Sequence, residues 1–117
     1  MARFNEWYPT GPMVAPGAVS MTKVKNLLKK SGRYYATKMM NTRVNGQLRG
    51  CFGFIRRSGD DKPIYIDTEY SPFLIRFARD ENDYCGETNE YCQFDTLIQT
   101  LDAMFSRLDR HKARGAE

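Results

Sequence analysis

The dipeptide Asn45-Gly46 stands between two apolar and β-branched runs, Arg33–Val44 and Gln47–Arg57. A two-residue type I′ turn needs φ > 0 at both central positions, which Asn and Gly tolerate best, so this pattern marks a β-hairpin. A two-residue loop also sets the register: 44 opposite 47, 43 opposite 48, and so on along the ladder. In that register Met39 faces Phe52 and Thr37 faces Phe54. One face then carries Tyr35, Thr37, Met39, Leu48, Phe52 and Phe54. The other carries Tyr34, Ala36, Met40, Cys51 and Ile55, with Lys38 and Arg49.

An isolated hairpin is not stable alone, so the flanking segments must cover one of its faces. Before it, Met21, Val24, Leu27 and Leu28 form one apolar stripe at helical spacing over residues 21–31. Ser20 or Thr22 suits the N-cap and Gly32 the position after the last turn. After it, Ser58-Gly59-Asp60-Asp61 reads as a turn and Pro63–Glu69 as a third strand, with Ile64 and Ile66 on one side. Ser71-Pro72 then predicts a short helix burying Phe73, Leu74, Phe77 and Ala78, since proline suits the first helical position. Residues 80–93 read as an acidic loop. A final helix, capped by Asp95 and running to about Lys112, carries the stripe Leu97, Ile98, Leu101, Met104, Phe105 and Leu108. The expected fold is α+β: a small antiparallel sheet, a three-stranded meander, packed by an N-terminal helix and two C-terminal helices.

The 117 residues suit one domain. Residues 21–112 are expected to form it, after an extended Pro/Gly-rich arm at 1–20 and before a frayed tail at 113–117. Proline at 9, 12 and 16 prevents regular structure in the arm. Its Phe4, Trp7 and Tyr8 suggest that its first ten residues dock, on the domain or on a partner. The composition, 41% hydrophobic, is that of a globule. No run is long and apolar enough to span a membrane, and no signal-peptide pattern opens the chain. The three cysteines, Cys51, Cys85 and Cys92, are odd in number and lack a CxxC pair, and His111 is the lone histidine. That excludes a disulfide scaffold and leaves too few ligands for structural zinc, so reduced thiols and a cytoplasmic setting are expected. No cofactor is expected.

Charge is unevenly spread. Residues 1–57 hold eleven Lys and Arg against one acid, Glu6, whereas residues 58–117 hold seven against thirteen. The cations Lys23, Lys25, Lys29, Lys30, Arg33, Arg43, Arg49, Arg56 and Arg57 occur with almost no acid around them. Such a set can bind a phosphate backbone, or the two halves can neutralise each other on folding.

Arg49-Gly50-Cys51-Phe52-Gly53-Phe54-Ile55 resembles the RNP1 segment of RNA-recognition and cold-shock domains. The resemblance covers about seven residues, with Cys51 inserted after the glycine. It implies that Phe52 and Phe54 stack on bases while Arg56, beside Tyr35, holds phosphate. The alternative is that Phe52, Phe54 and Met39 are core residues under the helices. The opposite face, with Lys38, Arg49 and Arg57, is then the solvent face. Ile64-Tyr65-Ile66-Asp67-Thr68-Glu69 resembles the first metal-binding motif of DnaQ-type exonucleases, with Asp67 and Glu69 on one strand face. The further partners of that motif are missing here, so exposed strand-end acids are the simpler reading. His111 and the cysteines form no recognisable catalytic set.

The sequence therefore predicts a non-enzymatic binding protein that contacts DNA or RNA through the basic helix and hairpin. The runner-up is an accessory or inhibitor protein, of the kind phages and mobile elements encode, that docks on a larger protein. Trp7, Tyr8, Tyr84 and Tyr91 are its candidate partner-binding residues. A small metal-dependent nuclease comes last. Neither a membrane nor a small-molecule substrate is expected.

Overall fold

The computed structural model describes residues 18–60, 62–70, 72–81 and 89–115. The elements run α1 (Met21–Ser31), β1 (Tyr34–Val44), β2 (Gln47–Arg57), β3 (Ile64–Asp67), β4 (Phe73–Phe77), β5 (Glu90–Cys92), a 3₁₀ turn (Phe94–Thr96) and α2 (Leu97–Gly115). The five strands form one antiparallel sheet in sequential order. Among the described residues this is an α+β fold with five strands and two helices, where three of each were expected. Among the described residues, no helix is long and apolar enough to cross a membrane.

Helix α1 forms as its sequence dictates. The Lys23 N–H donates to Ser20 Oγ at 3.3 Å, and Gly32 adopts φ 73° to end the helix. Val24 and Leu28 are buried. Val19, just before the helix, is buried too and belongs to the domain rather than to an arm. The rest of the expected arm, residues 1–17, lies outside the described residues.

The hairpin keeps its predicted register at both ends, Val44 opposite Gln47 and Tyr34 opposite Arg57. Its middle slips by one residue through two compensating irregularities. Lys38 and Met39 together oppose Gly53, and Arg49 is the extra residue on β2 near the tip. Met40, not Met39, therefore faces Phe52, whereas Thr37 faces Phe54 as expected. The first bulge holds Lys38 at φ 51°. Gly53 makes it possible: a Cβ there would stand 2.6 Å from Met39 Cα. A bulge reverses which face the following residues take. It turns Met39 inward to join Tyr34, Ala36, Cys51 and Ile55 under the helices.

Phe52 and Phe54 are not beneath the helices. They lie on the face that no described helix covers, here called the helix-free face, where Phe54 packs with Tyr65, Leu74 and Ala78 and Phe52 borders that cluster. The hairpin thus buries residues on both sides, which a period-two reading of a single strand pair cannot assign.

The segment expected to be a short helix from Ser71-Pro72 is strand β4. Phe73, Ile75 and Phe77 point into the main core and Leu74 into the second cluster. Five residues cannot nucleate a helix well, but they can join a ladder that β3 already offers, with Ile66 opposite Ile75. A proline is tolerated at such a strand's start. The expected acidic loop 80–93 contains β5, whose Cys92 is buried against Phe73's row. Residues 82–88 lie outside the described residues. Asp95 does not cap the last helix. It sits inside the 3₁₀ turn, where the Gln93 N–H donates to Thr96 Oγ1 at 3.1 Å. Helix α2 also runs past Lys112 to Gly115, into the expected tail.

Leu97, Leu101, Met104 and Phe105 seat α2 on the same sheet face as α1. Phe105 stacks on Tyr34 (centroids 5.8 Å apart) and meets Phe77 edge-on at 5.4 Å. Burying four large apolar side chains of α2 stabilises the fold by roughly 1.5–3 kcal/mol each before conformational entropy is subtracted.

Candidate nucleic-acid interface

The cations grouped along the sequence occupy separate places in three dimensions. Lys23, Lys25, Lys29 and Lys30 lie on the outer side of α1, all exposed. Helix α1 contains no acid, and among the described residues no ion pair reaches these four lysines or Arg43. Lys23 stands in the first turn, where the helix dipole disfavours a cation, and Lys25 and Lys29 are like charges four residues apart. Only Lys29 and Lys30, in the last turn, are placed as helix stability favours. Arg43 is exposed toward the hairpin tip, and among the described residues its guanidinium reaches only the Gly46 carbonyl, at 3.4 Å. The α1 N-terminus sits beside the same stretch of β1, since the Met21 N–H donates to Asn41 Oδ1 at 2.8 Å.

Arg33, Arg56 and Arg57 are engaged by the acidic half of the chain. Arg33 makes a two-pronged contact with Asp102 of α2, at 2.8 and 3.1 Å. Tyr34 OH donates to the same carboxylate at 2.5 Å. Burial, reinforced by that carboxylate, pushes the Tyr34 hydroxyl up to about 12. The Arg57 guanidinium is held by Asp60 at 2.5 Å and by Asp109 of α2 at 2.8 and 2.9 Å, and it lies 4.4 Å from the Phe105 ring centroid. The hydrogen bond from Arg57 holds the Asp109 carboxyl below its usual range. Burial pushes Asp60 up, but donation from the Lys62 N–H and Arg57 outweighs it. Arg56 Nε donates to Glu81 at 2.7 Å, and Thr37 Oγ1 and Lys38 converge on the same carboxylate. Thr37's hydrogen bond is the largest influence holding Glu81 below its usual range, with burial opposing and Arg56 adding to it. Arg49 is half-buried at the second bulge.

The aromatic residues resolve differently. Phe54 is only 5% exposed, with its ring edge-on to Tyr65 at 5.7 Å. It offers no face on which a base could stack. Phe52 is half-buried beside it. Three other apolar side chains open onto this helix-free face, as the register dictates: Tyr35, Met40 and Tyr91, exposed by 46%, 57% and 55%. Of the expected partner-binding residues, Tyr91 is therefore on an open sheet face. Trp7, Tyr8 and Tyr84 lie outside the described residues. Met40 escaped the sequence reading because only the bulge at Lys38 puts it opposite Phe52.

Asp67 is used locally, accepting from the Glu69 N–H at 3.0 Å and from Tyr65 OH at 3.2 Å. Among the described residues no group of three or more His, Cys, Asp or Glu gathers as a metal site would require. Cys51 and Cys92 are buried free thiols, both pushed up by burial, Cys92 to about 11. Neither is a reactive thiolate at neutral pH.

No protein-family model, no curated protein and no solved structure matches this chain.

Proposed function

We propose that this is a non-enzymatic nucleic-acid-binding protein that grips the phosphate backbone with α1. The observation that carries the reading is the set of four exposed lysines spread over the outer side of an acid-free helix. Arg33, Arg56 and Arg57 of the same basic half are bound to Asp102, Glu81, Asp60 and Asp109. Two of the lysine placements disfavour the helix itself, so stability does not account for them. Exposed lysines give non-directional charge attraction rather than base readout, and burial of Phe54 removes one of the two stacking platforms. The reading is therefore of sequence-independent contact, centred on Lys23, Lys25, Lys29 and Lys30 with Arg43 at its margin.

The test is fluorescence anisotropy of labelled single- and double-stranded DNA and RNA across a range of salt. Binding weakens linearly in log salt, and each Lys→Ala change on α1 reduces the slope by roughly 0.7–0.9. Absence of binding at low salt, or slopes that the lysine variants leave alone, removes the proposal.

A second reading is favoured by Tyr35, Met40 and Tyr91 sharing the helix-free face. Amphipathic aromatic and methionine side chains on an open sheet are what a protein-docking surface presents. It predicts a stoichiometric protein partner whose binding is nearly independent of salt and is lost in Tyr35→Ala and Met40→Ala. The lysine variants leave that partner bound.

A further inference from the structure

Helix α1 is seated on the sheet by Val24 and Leu28, which are buried. At about 3.6 residues per turn, that fixes where its other side chains stand around the axis. Lys25 and Lys29 lie on one flank and Lys23 and Lys30 on the other, the two pairs roughly 130° apart. Between them, on the side opposite the buried pair, stand Thr22 and Asn26, one turn apart and both exposed. The outermost line of the helix is thus short, uncharged and able to hydrogen-bond, with cations on both sides of it. Asparagine in an exposed helix interior is a poorer helix former than alanine. Among the described residues no hydrogen bond reaches the Asn26 amide, so helix stability does not account for it either.

We propose that α1 enters the major groove of duplex DNA, with Lys25 and Lys29 on one phosphate backbone, Lys23 and Lys30 on the other, and Asn26 at the base edges. This rests on the lysine grip argued above and adds to it the form of the nucleic acid and a preference for sequence. The B-form major groove is about 12 Å wide and takes a helix about 10–12 Å across. A phosphate backbone then borders each side of the helix, which is where the two lysine flanks stand. A single strand has one backbone and meets one flank. The major groove of duplex RNA is too deep and narrow for side chains to read. Lysine contacts with phosphate carry no sequence information, but an asparagine amide facing the bases can donate to adenine N7 and accept from its N6 amino group. Thr22, one turn earlier, turns a methyl and a hydroxyl toward the same groove.

The experiment compares the affinity of the full chain for duplex DNA, duplex RNA and single-stranded DNA of equal length, by fluorescence anisotropy over a range of salt. Duplex DNA is expected to bind about tenfold tighter or more than either of the others. The double changes Lys25→Ala/Lys29→Ala and Lys23→Ala/Lys30→Ala are each expected to reduce the salt slope on duplex DNA by roughly 1.8. Bound protein is expected to shield guanine N7, in the major groove, from dimethyl sulfate and to leave adenine N3, in the minor groove, open. On a panel of duplexes of different sequence, Asn26→Ala is expected to lower the ratio of affinities between the best and the poorest sequence by about fivefold or more, with the salt slope unchanged. That change installs a better helix former at an exposed position, so the fold survives it. Equal affinity for single strands or duplex RNA, shielding of adenine N3 instead, a flank that contributes nothing to the salt slope, or a sequence ratio that Asn26→Ala leaves alone each overturns the proposal. The lysine grip outlasts those results as long as the lysine variants still weaken binding, whereas absence of lysine-dependent binding removes both.

Discussion

Helices α1 and α2 lie on the same face of the sheet and bury similar apolar stripes, yet their charged sides behave in opposite ways. Asp102 and Asp109 of α2 reach Arg33 and Arg57 on the strands, and Arg107 pairs with Glu90 of β5. Three charged residues of α2 are thus turned back onto their own domain. Among the described residues the lysines of α1 reach nothing of the kind. Charge that finds a partner within the fold orients elements. Charge left unpaired on an otherwise well-seated helix is available to something outside it. Neutralisation of one half by the other, which the sequence allows, is therefore partial: it includes Arg33, Arg56 and Arg57 and leaves out α1.

The largest effect expected from breaking this comparison lies beneath α2. Phe105→Ala removes the contacts with Tyr34, Phe77 and Arg57 and should cost about 3–5 kcal/mol in urea unfolding. Alkaline titration comes next. The Tyr34 hydroxyl is raised from 10.0 to about 12, so folding favours its neutral form. Its contribution, about 2–3 kcal/mol, is fully present below pH 10 and is lost as pH rises from 10 through 12. Tyr34→Phe should lose that part of the alkaline decline. Asp102→Ala follows, at about 1–2 kcal/mol, mainly because it strips the buried tyrosine of its acceptor. A double-mutant cycle with Tyr34→Phe measures this, and strictly additive losses would show the two residues uncoupled. The smallest effect is expected on α1. Lys23, Lys25, Lys29 and Lys30 changed to Ala should each alter stability by under about 0.5 kcal/mol, and upward as often as downward, because alanine is the better helix former. A loss above roughly 1 kcal/mol at any of them would make that lysine structural and dissolve the contrast between the helices.

Legibility in the sequence follows the range of the interactions. Local ones were readable. The Asn45-Gly46 turn, the Ser20 and Gly32 caps and the pairing of Ile64 with Ile66 on one face each depend on neighbours a few residues apart. The lysines of α1 were readable as candidates for the same reason: no acid lies close enough in sequence to pair with them. The fate of the other cations was not. Arg33 meets Asp102 across 69 residues and Arg57 meets Asp109 across 52, and no spacing rule links such positions.

The sequence by itself determined where the hairpin turns, how α1 begins and ends, and which side of each helix is apolar, because backbone dihedral preferences and period are properties of short segments. The tertiary structure decided that Phe73–Phe77 is a strand, since five residues take their conformation from the ladder beside them. It decided the faces of the hairpin. A bulge at Lys38, permitted by the missing side chain of Gly53, sends Met39 to the helices and Met40 to the open side. It also decided which cations remain available, because an ion pair depends on distance in space, and distance in space is settled only when the sheet and its helices have packed.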